Sequence, residues 1–159
     1  MAGKTNAVRL VEQAGIPCRE HFYEFDEQDL RGTHAAESLG FPPEQVFKTL
    51  VARGASKGIY VFVIPVADSL DLKKAARSVG EKSIEMVAVK EINGLTGYVR
   101  GGCSPVGMKK EYPTTFHETA EIVDTIMVSA GKIGWQVELA PSELMGLVGA
   151  GTADLVVDG

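Results

Sequence analysis

Val46-Phe-Lys-Thr-Leu-Val-Ala52, then Arg53-Gly-Ala-Ser-Lys-Gly58, then Ile59-Tyr-Val-Phe-Val-Ile-Pro-Val66 is the stretch that sets the fold class. Two runs rich in β-branched and aromatic residues flank a segment with the composition of a hairpin loop, which predicts an antiparallel strand pair. The apolar run from Ile59 to Ala67 is the longest in the chain and is broken by Pro65. It falls far short of the roughly 20 residues that cross a bilayer. A hairpin at this point, with no crossover helix between its strands, disfavours a doubly wound parallel sheet.

Working outward from the hairpin, the periodicity alternates between helix and strand. On the N-terminal side, Thr5 to Ala14 carries Val8, Leu10 and Val11 at helical spacing and stops at Gly15 and Pro17. Arg19 to Phe25 alternates as a strand. Thr33 to Gly40 reads as a short capped helix, and Pro42-Pro-Glu-Gln-Val46 as a helical turn. On the C-terminal side, Ser69 or Asp71 caps a helix that runs through Val79 to Gly80. Ile84–Val87 is a short strand and Val89–Leu95 a short helix, and a strand from Tyr98 is expected to run into a glycine-rich loop. Thr114–His117, Thr125–Ser129 and Trp135–Leu139 read as strands, with the turn between the last two at Ala130-Gly-Lys132. Pro141–Leu147 closes the chain as a helix, with Ser142 available as its cap. The expectation is an α+β fold with a mixed or antiparallel sheet.

At 159 residues the chain fits one domain, taken as 1–159. Its 45% hydrophobic and 23% charged composition excludes collagen, a coiled coil and an intrinsically disordered chain. The N-terminus shows no apolar signal core, and Cys18 and Cys103 make no disulfide framework, so a cytoplasmic address and no membrane partner are expected. With 16 basic against 21 acidic residues the net charge is −5, so the chain repels a polyanion on average. Nucleic-acid contact must then come from a local basic patch acting within about 8 Å at physiological salt. Tyr98 to Lys110 is such an island, with Arg100, Lys109 and Lys110 and no acid.

The common catalytic motifs are absent: no Gly-x-Ser-x-Gly elbow, no phosphate-binding Walker loop, no His-Glu-x-x-His. His21, His34 and His117 are widely separated, and no metal site or cofactor is expected. Two segments stand out. Gly101-Gly-Cys-Ser-Pro-Val-Gly107 joins glycines that permit close backbone approach to a proline that stiffens the loop, so its N–H groups could be aimed at a carbonyl. An ordinary tight turn explains the same residues. Lys48 sits between apolar neighbours on one strand face, either snorkelling at a sheet rim or placed to hold a phosphate. Cys103 and Ser104 have no evident base, which argues against either as a nucleophile.

The ordered set of segments resembles the YbaK/EbsC family of aminoacyl-tRNA deacylases, relatives of the editing domain of bacterial prolyl-tRNA synthetase. The resemblance rests on His21-Phe-Tyr-Glu-Phe-Asp26, Ala35-Ala-Glu-Ser-Leu-Gly40, Val46-Phe-Lys-Thr-Leu-Val51 and Leu72-Lys-Lys-Ala-Ala76. It continues through Gly97-Tyr98, Gly101–Gly107 and Val128-Ser-Ala-Gly-Lys132. It implies a mixed, largely antiparallel, partly barrel-like sheet surrounded by helices. It also implies trans-editing of Cys-tRNA(Pro), with a deacylase for Ala-tRNA(Pro) or another small amino acid, and a non-catalytic tRNA- or synthetase-binding module, as alternatives. By the same resemblance, Lys48 holds the terminal phosphate and orients the ester, and Gly101 and Gly102 polarise its carbonyl. Tyr23, Thr49, Cys103, Ser104, Pro105 and Ser129 complete the substrate pocket. Thr49 would point away from Lys48 along an ideal strand. Arg31 stands where some relatives place a pocket aromatic. The substrate's own thiol is implied as the nucleophile, and the tRNA(Pro) acceptor end and prolyl-tRNA synthetase as partners. A monomer is the default expectation, with nothing in the sequence to read the oligomeric state from.

Overall fold

The computed structural model describes residues 4–24 and 32–158. The end of the first expected strand at Phe25, its neighbour Asp26, the Leu30–Arg31 segment and the side chain of Thr33 lie outside the described residues.

Helix α1 (Asn6–Gln13) begins where Thr5 Oγ1 accepts from the Val8 N–H at 3.2 Å, and it buries Ala7, Val8 and Val11. Strand β1 (Cys18–Phe22) and helix α2 (Gly32–Leu39) follow. The hairpin forms as read, from β2 (Phe47–Gly54) and β3 (Ile59–Pro65), in antiparallel register from Phe47–Pro65 to Arg53–Ile59. Helix α3 (Leu72–Val79) is capped by Asp71, which accepts from the N–H groups of Lys73 and Lys74, and it ends at Gly80 with φ 72°. Strand β4 (Ile84–Met86), helix α4 (Val89–Thr96) and strand β5 (Thr114–His117) come next, then a short 3₁₀ turn at Glu118–Glu121. Strands β6 (Ile126–Lys132) and β7 (Trp135–Leu139), helix α5 (Pro141–Val148) and strand β8 (Gly151–Ala153) complete the described chain.

The strands divide into two sheets. One is antiparallel, in the order β1-β7-β6; the other is mixed, in the order β4-β2-β3-β5-β8, with β3–β5 and β5–β8 parallel. They meet at a parallel bridge between Val46 and Met127, where the Met127 N–H donates to the Gln45 carbonyl at 3.0 Å. The main core, including Phe47, Val61, Val63 and Phe116, fills the space between the sheets and α1. Phe62 and Ile64, on the other face of β3, pack with Ala75 and Ala76 of α3. Burying such side chains is worth about 1.5–3 kcal/mol each, which fixes which face of the hairpin turns inward.

Four local expectations change. Tyr98 starts no strand: its N–H donates to Thr96 Oγ1 at 3.0 Å and its hydroxyl donates to the Val106 carbonyl, so the segment closes on itself as a loop. Pro42–Val46 makes one turn only, through Gln45 N–H to Pro42 O and Val46 N–H to Pro43 O, because Val46 is then drawn into the bridge. The last hairpin turns at Ile133–Gly134, since a bulge between Ser129 and Lys132 carries β6 past the expected turn. Helix α5 has Pro141 in its first turn and Ala140 at its cap, which leaves Ser142 inside the helix.

Candidate active-site cleft

Strand β4 pairs with β2 only from Ala52 to Gly54, and the Phe47–Val51 stretch of β2 lines a cavity of about 460 Å³. Several other parts of the chain close it. Tyr23 comes from the segment after β1, Ser129 from β6 and Gln136 from β7. Arg100, Gly101 and Cys103 come from the loop after α4, and Val89 and Ile92 from α4 itself. The cavity therefore lies at the seam between the two sheets, roofed by the glycine-rich loop.

Lys48 and Thr49 both line it. They are consecutive on β2, and the cavity runs along five consecutive residues of that strand, Phe47 to Val51. Burial lowers the pKa of the Lys48 ammonium, and the charge of Asp68 acts in the opposite direction. Thr49 Oγ1 is buried without a hydrogen-bond partner. Ser129 is buried, and its Oγ accepts from the Gly131 N–H at 3.1 Å.

The glycine-rich loop is built from residues with different jobs. Gly101 adopts φ 85°, a left-handed conformation that costs other residues about 1–2 kcal/mol. Gly102 lies against the β6–β7 hairpin, where a Cβ would stand 3.0 Å from the Ile133 nitrogen. Ser104 is fully buried, and its Oγ accepts from the Val106 N–H at 3.2 Å. Pro105 faces a different hollow, with Leu10, Tyr112 and Leu147. Of the expected site residues, Tyr23, Lys48, Thr49, Gly101, Cys103 and Ser129 thus line one cavity, while Gly102, Ser104 and Pro105 hold the loop from behind.

Among the described residues the cavity holds no nucleophile with a base beside it. Burial pushes the Cys103 thiol up to about 11, with a hydrogen bond to Thr96 working the other way, so it is protonated at neutral pH. None of the three histidines is among the lining residues. His21 donates to Glu138 at 2.8 Å, and Glu138 also accepts from Thr125 at 2.5 Å. His117 accepts from the Leu155 N–H at 3.1 Å. His117, Glu118 and Asp154 cluster closely enough to suggest a metal site. However, that bond occupies His117 Nδ1, and Asp154 is paired with Lys74 at 2.9 Å. Among the described residues the lining includes two cations, Lys48 and Arg100, and no carboxylate. What it can do chemically is hold an anionic or ester-bearing ligand and polarise it.

Gln136 was not anticipated. The signal was there: in Trp135-Gln-Val-Glu-Leu139 the alternation sets Gln136 and Glu138 on the face away from Trp135 and Val137. Arg100 stood out only as part of a basic island. No helix among the described residues is long and apolar enough to cross a membrane.

Residues 32–147 match the family model described as the aminoacyl-tRNA editing domain. The chain is 46% identical over 152 residues to EbsC of Enterococcus faecalis, provisionally named a Cys-tRNA(Pro)/Cys-tRNA(Cys) deacylase. That match covers 96% of this chain and 93% of EbsC. A stretch of 75 residues is 33% identical to a proline–tRNA ligase of Shouchella clausii, covering 47% of this chain and 13% of that enzyme. A crystal structure described provisionally as a trans-editing enzyme for prolyl-tRNA synthetase is similar with a TM-score of 0.80. The two are 27% identical, covering 98% of this chain and 100% of that one.

Proposed function

Given that the chain belongs to the aminoacyl-tRNA editing domain family, we propose that it clears cysteine from mischarged tRNA(Pro) in trans, the substrate's own thiol attacking its ester. It is an aminoacyl-tRNA deacylase. Cysteine and proline are close in volume, so a synthetase pocket cannot separate them strongly by binding alone, and a second site has to remove the error.

One observation carries the mechanism: among the described residues, a cavity that gathers Lys48, Gly101 and several polar side chains contains no activated protein nucleophile. In the reaction, the cysteinyl sulfur bonds to the acyl carbon and the bond from that carbon to the ribose oxygen breaks. The thiol proton ends on the ribose oxygen. The products are a cyclic thiolactone and free tRNA. Negative charge grows on the carbonyl oxygen during attack, and preorganised N–H groups at the Gly101 loop stabilise it. Lys48, made less hydrated by burial, holds the terminal phosphate as a point charge. Tyr23, Thr49, Cys103 and Ser129 border the acyl group, and Gly102, Ser104 and Pro105 keep the loop in place.

The acceptor end of tRNA(Pro) is the part engaged, and residues 1–159 act as one editing domain, a monomer in the cytoplasm. An acidic protein with few cations at its cleft grips the tRNA body weakly, so prolyl-tRNA synthetase supplies tRNA identity. The test is ester loss from Cys-tRNA(Pro) and Ala-tRNA(Pro) with wild type and Lys48→Ala. Loss of the cysteinyl ester alone, abolished by the substitution, is the expected result. Loss of the alanyl ester alone moves the specificity to alanine, and loss of neither overturns the reading.

A further inference from the structure

Gln136 stands in the middle of a row that crosses the smaller sheet, opposite His21 of β1 on one side and Ser129 of β6 on the other. It is 6% exposed and lines the cavity, yet its Oε1 has no hydrogen-bond partner. Its neighbours in the row are engaged elsewhere: His21 with Glu138, and Ser129 Oγ with the Gly131 N–H. A buried amide oxygen left bare is destabilising, and native proteins rarely keep one without a reason.

The chemistry of the atom restricts what can complete it. An amide oxygen only accepts, so its partner must be a donor. Among the described residues no carboxylate lines the cavity, so the acceptors they offer an entering amine are neutral. Every aminoacyl ester carries an amino group on the carbon next to the reacting carbonyl. We propose that Gln136 Oε1 accepts from the α-amino group of the substrate, and so fixes how the acyl group sits beneath the Gly101 loop. This rests on the deacylase reading above and adds a specificity residue to it. Esters whose amine is blocked or missing lose the contact, which separates free aminoacyl-tRNA from peptidyl-tRNA.

The experiment crosses two proteins with two substrates. One substrate is Cys-tRNA(Pro); the other is tRNA(Pro) charged with a 3-mercaptopropionyl group, which keeps the thiol and lacks the amine. Removing the amine also changes the intrinsic reactivity of the ester, but that change is common to both proteins and cancels in the comparison. Gln136→Met is expected to lower kcat/KM for the cysteinyl ester about tenfold and to change the mercaptopropionyl ester less than twofold. Gln136→Glu keeps an acceptor and is expected to preserve the preference for the amine; it decides the matter if the Met variant does not fold. An equal fall on both substrates, no fall on either, or loss of the preference in Gln136→Glu overturns the assignment. A wild type inert toward the cysteinyl ester while cleaving the alanyl one overturns the cysteine reading alone. The same amine test, run with alanyl and propionyl esters, then decides the role of Gln136. A wild type inert toward both overturns the deacylase reading and this assignment with it.

Discussion

Gly102 lies flat against Lys132: a methyl group on the Gly102 α-carbon would stand 3.2 Å from the Lys132 Cα and carbonyl carbon. The roof of the cleft is therefore seated directly on the backbone of the β6–β7 hairpin, which also carries Ser129 and Gln136 into the cavity.

Gly102→Ala should lift the loop by a few tenths of an ångström, because backbone atoms rather than a flexible side chain oppose the new methyl. The expected result is a loss of kcat/KM on the order of 10- to 100-fold on Cys-tRNA(Pro), with the fold retained. Single-turnover kinetics beside a circular dichroism melt would measure both. Unchanged turnover would show that the loop's seat on Lys132 is irrelevant to catalysis.

Lys48→Met should abolish deacylation and raise the melting temperature together. Burial depresses the folded-state pKa below the ordinary 10.5. The charged side chain thus weighs against folding at neutral pH, and that penalty fades as pH rises from the depressed value to 10.5. The variant lacks the penalty at every pH. Melts recorded between pH 7 and 10.5 should show the gap between variant and wild type narrowing.

Cys103→Ser should retain deacylation within a few-fold, because the thiol is protonated and borders the acyl group without reacting, and serine is close to it in size. Its pKa is raised from 9.0 to about 11, so its contribution to stability is complete below pH 9 and is lost as pH climbs through 11. Full ionisation costs ~3 kcal/mol. Denaturant unfolding at pH 8 and pH 11 should show wild type losing more stability than Cys103→Ser. Rapid alkylation of Cys103 at pH 7 in the native protein would contradict the assigned environment.

Lys74→Met should loosen the C-terminal segment and leave the cleft alone. Its ammonium donates to Asp154 at 2.9 Å, to the Val156 carbonyl at 2.8 Å and to Asp158 at 2.8 Å. Hydrogen exchange should quicken around Gly151–Val157, with a melting temperature lower by a few degrees and deacylation unchanged. Exchange no faster than in wild type would mean that the backbone ladder of β8 holds the segment unaided.

What the sequence disclosed follows from the kind of information each feature needs. The β2–β3 hairpin and α3 could be read because their apolar residues repeat at strand or helix spacing within a few positions. Strand β8 could not, since Gly151-Thr-Ala153 has no alternation and becomes a strand only by pairing with β5, far away in the chain. Lys74 looked like solvated charge because its partners sit some eighty residues later. At the site, Lys48 and Gly101 were legible through the ordered family resemblance. The pairing of Lys48 with Thr49 in one cavity was not, because an isolated strand gives no hint that β4 stops short at Ala52. For Gln136 the local alternation showed only its face; its place between His21 and Ser129 comes from pairing across three strands.

The shortness of β4 also bears on how the molecule avoids its own kind. A strand whose side is left unpaired is a template on which another chain can add, and natural sheets guard against this with charge, especially lysine. Here the unguarded length of β2 is sunk in a cleft, with Lys48 at its head. The side chain proposed to hold the substrate thus also places a charge beside the unpaired side of β2. Neutralising it exchanges solubility for thermal stability, so the Lys48→Met protein, though harder to melt, should aggregate sooner as it is concentrated.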